Sequence, residues 1–230
     1  MRLTPRCLEI LKLLLAARWL TTTQLHRRFF SEATLSATRK RLHKLAKGDY
    51  LVKVQPNRMQ ESFFRLGPAG KRQLEQQGGS NILLHRQPPK QLEHFLGIND
   101  VRLAAELSLP LSYFFACWEL AAIGWKQPII PDAIFGVDNH NCALEFDRGQ
   151  ENLRFFARTK LAWYFRGLDG FPVHRLVIVT DRQSRLESLA KAVGLRGTSV
   201  RLTRLDLIQK DGLAGPIFCT ASLNGGIKLL

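Results

Sequence analysis

Ser31-Glu32-Ala33-Thr34-Leu35-Ser36-Ala37-Thr38-Arg39-Lys40-Arg41-Leu42-His43-Lys44-Leu45-Ala46-Lys47-Gly48 carries two patterns on one stretch of chain. Leu35, Thr38, Leu42 and Leu45 recur at intervals of three and four, the spacing of a buried helical stripe. At 100° per residue the opposite face collects Ser36, Lys40, His43, Lys44 and Lys47, with Arg39 and Arg41 flanking it. The spacing predicts a helix opening at Ser31-Glu32 and ending near Gly48. An apolar back with a cationic front suits a helix laid against a polyanion, where long side chains reach phosphates and base edges. A charge run is more often only a solvated face, so the surroundings decide between the two.

Before this segment, Thr4-Pro5 opens a helix carrying Leu8, Ile10, Leu11, Leu14 and Leu15, with Pro5 in the first turn where its missing N–H is harmless. Thr21 to Thr23 cap a second helix running through Leu25 and Phe29. After it, Tyr50–Val54 and Ser62–Leu66 read as strands around the turn Gln55-Pro56-Asn57-Arg58, and Pro68 begins one more helix through Leu74. Lys53 and Arg58 make the hairpin tip basic. Three helices, a basic third helix and a hairpin directly after it favour recognition over solvation. The stretches Leu20–Leu25 and Lys44–Leu51 resemble winged helix-turn-helix regulators. The helix face and the hairpin tip together make Ser36, Arg39, Lys40, Arg41, His43, Lys44, Lys47, Lys53 and Arg58 the expected duplex contacts. Arg6, Lys12, Arg27 and Arg28 are weaker candidates.

The charge distribution agrees. Of the formal net +15, residues 1–75 supply +11, with 16 Lys/Arg against 5 Asp/Glu, and residues 76–230 only +4. Such crowding suits double-stranded DNA, because neutralised phosphates release counterions. No signal peptide, lipidation motif or apolar run of about 20 residues is visible, so a cytoplasmic protein without a membrane partner is expected. Cys7, Cys117, Cys142 and Cys219 form no CxxC pair and read as reduced core residues.

Composition shifts at Gln76–Ser80 and again at Gln87-Pro88-Pro89. The expected organisation is a DNA-binding domain over 1–75, a linker over 76–90 and an α/β domain over 91–230. In the second domain the patterning predicts a helix at 91–109 and strands at 112–122, 128–137 and 141–147. A helix at 150–167, a strand at 173–180, a helix at 184–193 and a strand near 199–203 follow. The fold class is therefore α+β, with a mixed sheet flanked by helices.

Pro131-Asp132-Ala133 and Leu144-Glu145-Phe146-Asp147 lie on two strands joined by Asp138-Asn139-His140-Asn141. Adjacent antiparallel strands bring Asp132 and Glu145 within reach of one Mg²⁺, which takes a few hard oxygen ligands and completes its shell with water and phosphate. A metal so placed activates water for phosphodiester cleavage. The spacing and element order resemble the PD-(D/E)xK nuclease superfamily over roughly residues 91–181, implying a restriction-endonuclease-like fold with Asp132 and Glu145 as metal ligands. Where that family places lysine this chain has Asp147, and Lys160 on the next helix is the candidate replacement. The competing reading is structural: Asp147 pairs with Arg148, Arg154 or Arg158, and Asp132 is a turn residue. Glu119 and Glu106 are weaker acids of the same neighbourhood. Gly167-Leu168-Asp169-Gly170 lacks a phosphate-loop pattern, His94 and His174 have no nucleophile partner, and Trp118, Trp125, Trp163 and Phe155-Phe156 read as core aromatics.

Taken together, the basic N-terminal region, His94–Arg102, Trp118-Glu119, Pro131-Asp132-Ala133, Leu144–Gly149 and Lys160-x-x-x-Tyr164 resemble the replication-relaxation family of plasmids and other mobile elements. The resemblance implies a role in replication, DNA relaxation or mobilisation, with a homodimer and replication or mobilisation proteins among the expected partners. Three readings stand side by side. They are a mobile-element DNA-binding protein, a Mg²⁺-dependent nuclease using Asp132, Glu145 and Lys160, and a transcriptional regulator with a non-catalytic α/β domain.

Overall fold

The computed structural model describes residues 3–55, 60–79, 82–166, 168, 171–194, 199–215, 218–221 and 227–229. The chain divides into two compact units, Met1–Asn99 and Asp100–Leu230. The division falls inside one helix, α5 below.

The first unit opens with α1 (Pro5–Ala17), whose N-cap Thr4 accepts a hydrogen bond from the Cys7 amide. Its buried face is Cys7, Ile10, Leu11, Leu13, Leu14 and Ala17, while Leu15 turns outward. A two-residue strand, β1 (Leu20–Thr21), leads into α2 (Thr22–Phe29). There Thr21 and Gln24 form a reciprocal capping box, each side chain satisfying the other's backbone N–H. Helix α3 (Leu35–Lys47) starts later than its sequence suggests. Thr34, not Ser31, is the N-cap, its side chain accepting from Ala37 N at 3.2 Å. Residues 31–33 form a turn, closed by Ala33 N on Phe30 O. Thr38, Leu42 and Leu45 are buried beneath α3.

Strands β2 (Leu51–Val54) and β3 (Phe63–Leu66) pair antiparallel, and β1 adds to the other edge of β3, giving the order β1-β3-β2. Helix α4 (Pro68–Glu75) follows, with proline at its start. Gly67 and Gly70 approach Asp49 and Tyr50 so closely that a Cβ would meet backbone oxygen at 2.2 and 2.4 Å. Helix α5 (Leu92–Ser108) begins within this unit. Its Asn99 amide, fully buried, donates to Ala17 O and Trp19 O, and Gln24 donates to Leu96 O. The two Asn99 bonds satisfy carbonyls left open where α1 ends.

The second unit is built on a seven-stranded sheet of order β10-β9-β8-β7-β6-β5-β4. Strands β4 (Leu111–Ala116), β5 (Ala133–Val137) and β6 (His140–Asp147) form an antiparallel meander. Parallel β7 (Arg175–Thr180) and β8 (Val200–Arg204) follow, and antiparallel β9 (Cys219–Ala221) and β10 (Ile227–Leu229) complete it. The fold is α+β with a mixed sheet.

Two of the expected strands are shorter than their apolar patterns. Cys117–Ala122 is helix α6, because the Glu119 carboxylate accepts from Ala116 N at 2.9 Å and caps a turn there. Pro128 and Pro131 cannot donate to a ladder, so β5 starts only at Ala133. After β6 the chain runs through α7 (Leu153–Phe155), a π-helical turn (Phe156–Lys160) and α8 (Leu161–Arg166). These and α9 (Gln183–Val193) cover one sheet face around Phe156, Tyr164, Ile178, Leu189 and Leu202. Helix α10 (Leu205–Asp211) follows β8. Phe155, read as a core aromatic, is about half exposed instead, since the core-facing position of that turn belongs to Phe156.

Candidate functional site

The cationic face of α3 is open. Ser36, Arg39, Lys40, His43, Lys44 and Lys47 are all exposed, and no described carboxylate pairs with the five charged or ionisable ones. Thr38, on the buried side, shares a 2.9 Å hydrogen bond with His26 Nδ1 of α2 and so ties the two helices. Arg41 behaves differently from its neighbours. It is half-buried, and its Nη2 donates to Cys7 Sγ at 2.7 Å. Burial works to raise the Cys7 thiol pKa, yet hydrogen bonds with Thr4 and Arg41 outweigh it and leave the thiol below its ordinary value. Arg58 lies outside the described residues.

Lys53 is exposed on β2, and it closes one side of a cleft of about 730 Å³. Arg39, Lys40 and His43 line the cleft from α3, and Thr23 and Glu61 line it from the start of α2 and the approach to β3. The helical face and the hairpin therefore form one continuous concavity. Antiparallel pairing of Lys53 with Phe64 and of Thr21 with Phe63 brings the three segments together.

The second cluster is closed. Because registered partners share a sheet face, Glu145 and Asp147 of β6 point to the side covered by α7 to α9. Glu145 is buried; Lys160 Nζ lies 3.0 Å from its Oε2, and the Tyr164 hydroxyl donates to its Oε1. Lys160 also meets Glu151 at 3.1 Å. Burial pushes the Glu145 carboxyl up to about 7, and the Asp132 charge pushes the same way, against the opposing pull of Lys160 and Tyr164. Burial works to lower the Lys160 pKa, but the Glu145 and Glu151 carboxylates outweigh it and hold the ammonium well above the usual lysine value. Burial and the adjoining Glu145 drive the Tyr164 phenol well upward as well.

Asp132 is half-buried, and its Oδ2 accepts from Phe146 N at 2.7 Å, clasping the two strands. Asp147 pairs with neither Arg148 nor Arg154 nor Arg158. Arg185 of α9 donates through both Nε and Nη2 to its Oδ2, at 3.0 and 2.7 Å, and Gly149 N donates to its Oδ1 at 2.6 Å. The sheet register aims Asp147 at α9, while Arg148 meets Asp181. Arg185 also donates to Glu151 O, so Glu151 joins the two ion pairs into one network. Glu119 is taken up by Arg102 of α5 and by its own helix cap. His174 accepts from Asn141 N at 2.9 Å, a structural bond. No group of three or more metal-ligating side chains is found among the described residues, and Cys7 and Cys142 stand outside any disulfide. No described helix is long and apolar enough to cross a membrane.

Sequence reasoning did not place Tyr164, Glu151 or Arg185 beside the acids. Lys160 and Tyr164, four apart, carried a legible signal, since residues at that spacing share a helix face. Arg185, 38 residues from Asp147, carried none.

No curated protein and no solved structure matches the chain. A family model described as replication-relaxation matches residues 11–166, a span that takes in α3, Asp132, Glu145 and Lys160 but stops short of Arg185. On that match the chain belongs to the replication-relaxation family.

Proposed function

We propose that the first unit is a winged helix-turn-helix that binds double-stranded DNA, and that the protein serves replication, relaxation or mobilisation of a plasmid or other mobile element. The observation that carries this reading is the exposed cationic face of α3, of which Arg39, Lys40 and His43 line the same cleft as Lys53. Helix α3 would enter the major groove, with Lys40, His43, Lys44 and Lys47 toward bases and phosphates, and the β2–β3 hairpin would rest on the backbone. Membership of the replication-relaxation family supports the replication or relaxation part of this reading. The test is titration of a labelled duplex across about 50 to 200 mM salt; log affinity should fall linearly with log salt. A chain that fails to bind at the lower end refutes the proposal.

One observation favours a second reading, metal-dependent cleavage in a nuclease-like second unit. Lys160, displaced to the helix after β6, reaches Glu145 as a substitute for the missing lysine would. Asp132 and Glu145 would then hold Mg²⁺, which would supply water activation. Against it, both Glu145 oxygens are engaged by Lys160 and Tyr164, so a cation already stands where the metal would bind. Incubation of supercoiled plasmid with Mg²⁺ or Mn²⁺ decides. Nicking that vanishes in Asp132→Ala supports cleavage, and intact plasmid under conditions of binding leaves DNA binding alone.

A further inference from the structure

Among the described residues lining the cleft between α3 and the hairpin, one is an acid. Glu61 lines it together with Arg39, Lys40, His43 and Lys53, and no described cation forms an ion pair with it. Its Oε1 instead accepts two short hydrogen bonds from Thr23, one from the backbone amide at 2.6 Å and one from the hydroxyl at 2.7 Å. Lys53, on the neighbouring strand, is not used to neutralise it. A carboxylate in this position has an unusual consequence: it holds two donors on the cleft wall, and it sets a negative charge among cations that would otherwise meet phosphate.

We infer that Glu61 is a built-in counter-charge of the cleft, which restrains sequence-independent docking of duplex DNA by occupying the Thr23 donors and repelling the phosphate backbone. This inference rests on the duplex-binding reading above and adds to it the residue that tempers the affinity. Unrestrained cationic faces bind any phosphate backbone, and that background competes with a target site. A carboxylate in the face subtracts from the background at every position, whereas base-edge contacts made only at the target can offset it. Glu61 donates no charge to a DNA complex and can enter one only by leaving Thr23 or by standing against the phosphates. Either way the phosphate backbone alone is the poorer ligand.

The experiment uses the full chain and a fluorescein-labelled duplex of mixed sequence, read by anisotropy across the same salt range. Glu61→Gln removes the charge but keeps an acceptor for Thr23, and Glu61→Ala removes both. Glu61→Gln should bind roughly three- to tenfold tighter than the wild type, the scale of one nearby charge in partly aqueous surroundings. Its salt slope should steepen by up to about one. Glu61→Ala should gain at least as much, since it also releases the Thr23 amide and hydroxyl. Circular dichroism on both variants checks that the fold is kept, and Glu61→Gln stands as the deciding variant if the alanine form is unfolded. Unchanged or weaker binding by Glu61→Gln, with the wild type still binding, overturns the inference and leaves duplex binding standing. Absence of binding in wild type and variants alike overturns both.

Discussion

Cations serve opposite ends in the two units. On α3, Arg39, Lys40, Lys44 and Lys47 point into solvent without described carboxylate partners, so folding gains little from them. In the second unit Lys160, Arg185 and Arg102 are drawn against Glu145, Asp147 and Glu119, and each is partly or fully enclosed. An exposed charge keeps its hydration and remains available to a partner, whereas an enclosed one has lost water and must be matched inside the protein. The charge excess of residues 1–75 is thus surplus to the fold, and the near balance of 76–230 is part of it. Electrostatics in the first unit looks outward; in the second it looks inward.

The strongest way to break that contrast is Arg185→Leu. It leaves the Asp147 carboxylate buried without its guanidinium, and stability to urea should fall by about 3–5 kcal/mol. Duplex affinity of the folded fraction should not change. A variant as stable as the wild type would show that the second unit's charges are as dispensable to folding as those of α3.

The reciprocal experiment is Lys40→Ala with Lys44→Ala. Duplex affinity at about 0.1 M salt should drop about tenfold or more, and the salt slope should become shallower by about two phosphates' worth. The urea midpoint should stay within the equivalent of about 0.5 kcal/mol, as for other surface changes. Loss of stability with unaltered binding would reverse the assignment of the face.

A further effect is expected in the pH dependence. Glu145 has its folded-state pKa raised from 4.5 to about 7, so between those values the folded protein holds a proton that the unfolded chain has released. Its contribution to stability is complete below the lower value and is lost as pH rises through the upper one. Wild-type stability should therefore carry a downward component between about pH 4.5 and 7 that Glu145→Gln lacks. Identical slopes in the two proteins would mean that Lys160 keeps Glu145 ionised throughout.

Much of this was legible in local pattern. The α3 stripe placed Thr38, Leu42 and Leu45 inside and Lys40, His43, Lys44 and Lys47 outside, because helical periodicity alone decides which side a residue takes. Thr4 and Thr21 announced their caps for the same reason, a bond that closes within three residues. Legibility failed where an apolar run fits either element. Residues 112–122 read as one strand, but Glu119 closes a helical turn at Ala116 and Arg102, 17 residues away, holds that glutamate.

By itself, then, the sequence determined the α+β class, the charge surplus of the first third and the outward cations of α3, which follow from composition or from periods of a few residues, and its motifs carried the resemblance to the family. Only the tertiary structure decided that Arg41 turns to Cys7, that Glu61 lies in the cationic cleft, and that Asp147 belongs to Arg185 rather than to the arginines beside it. Those pairings join residues 34, 38 and 38 positions apart, and no local period encodes which distant side chain sheet register and helix packing will bring to a given polar group.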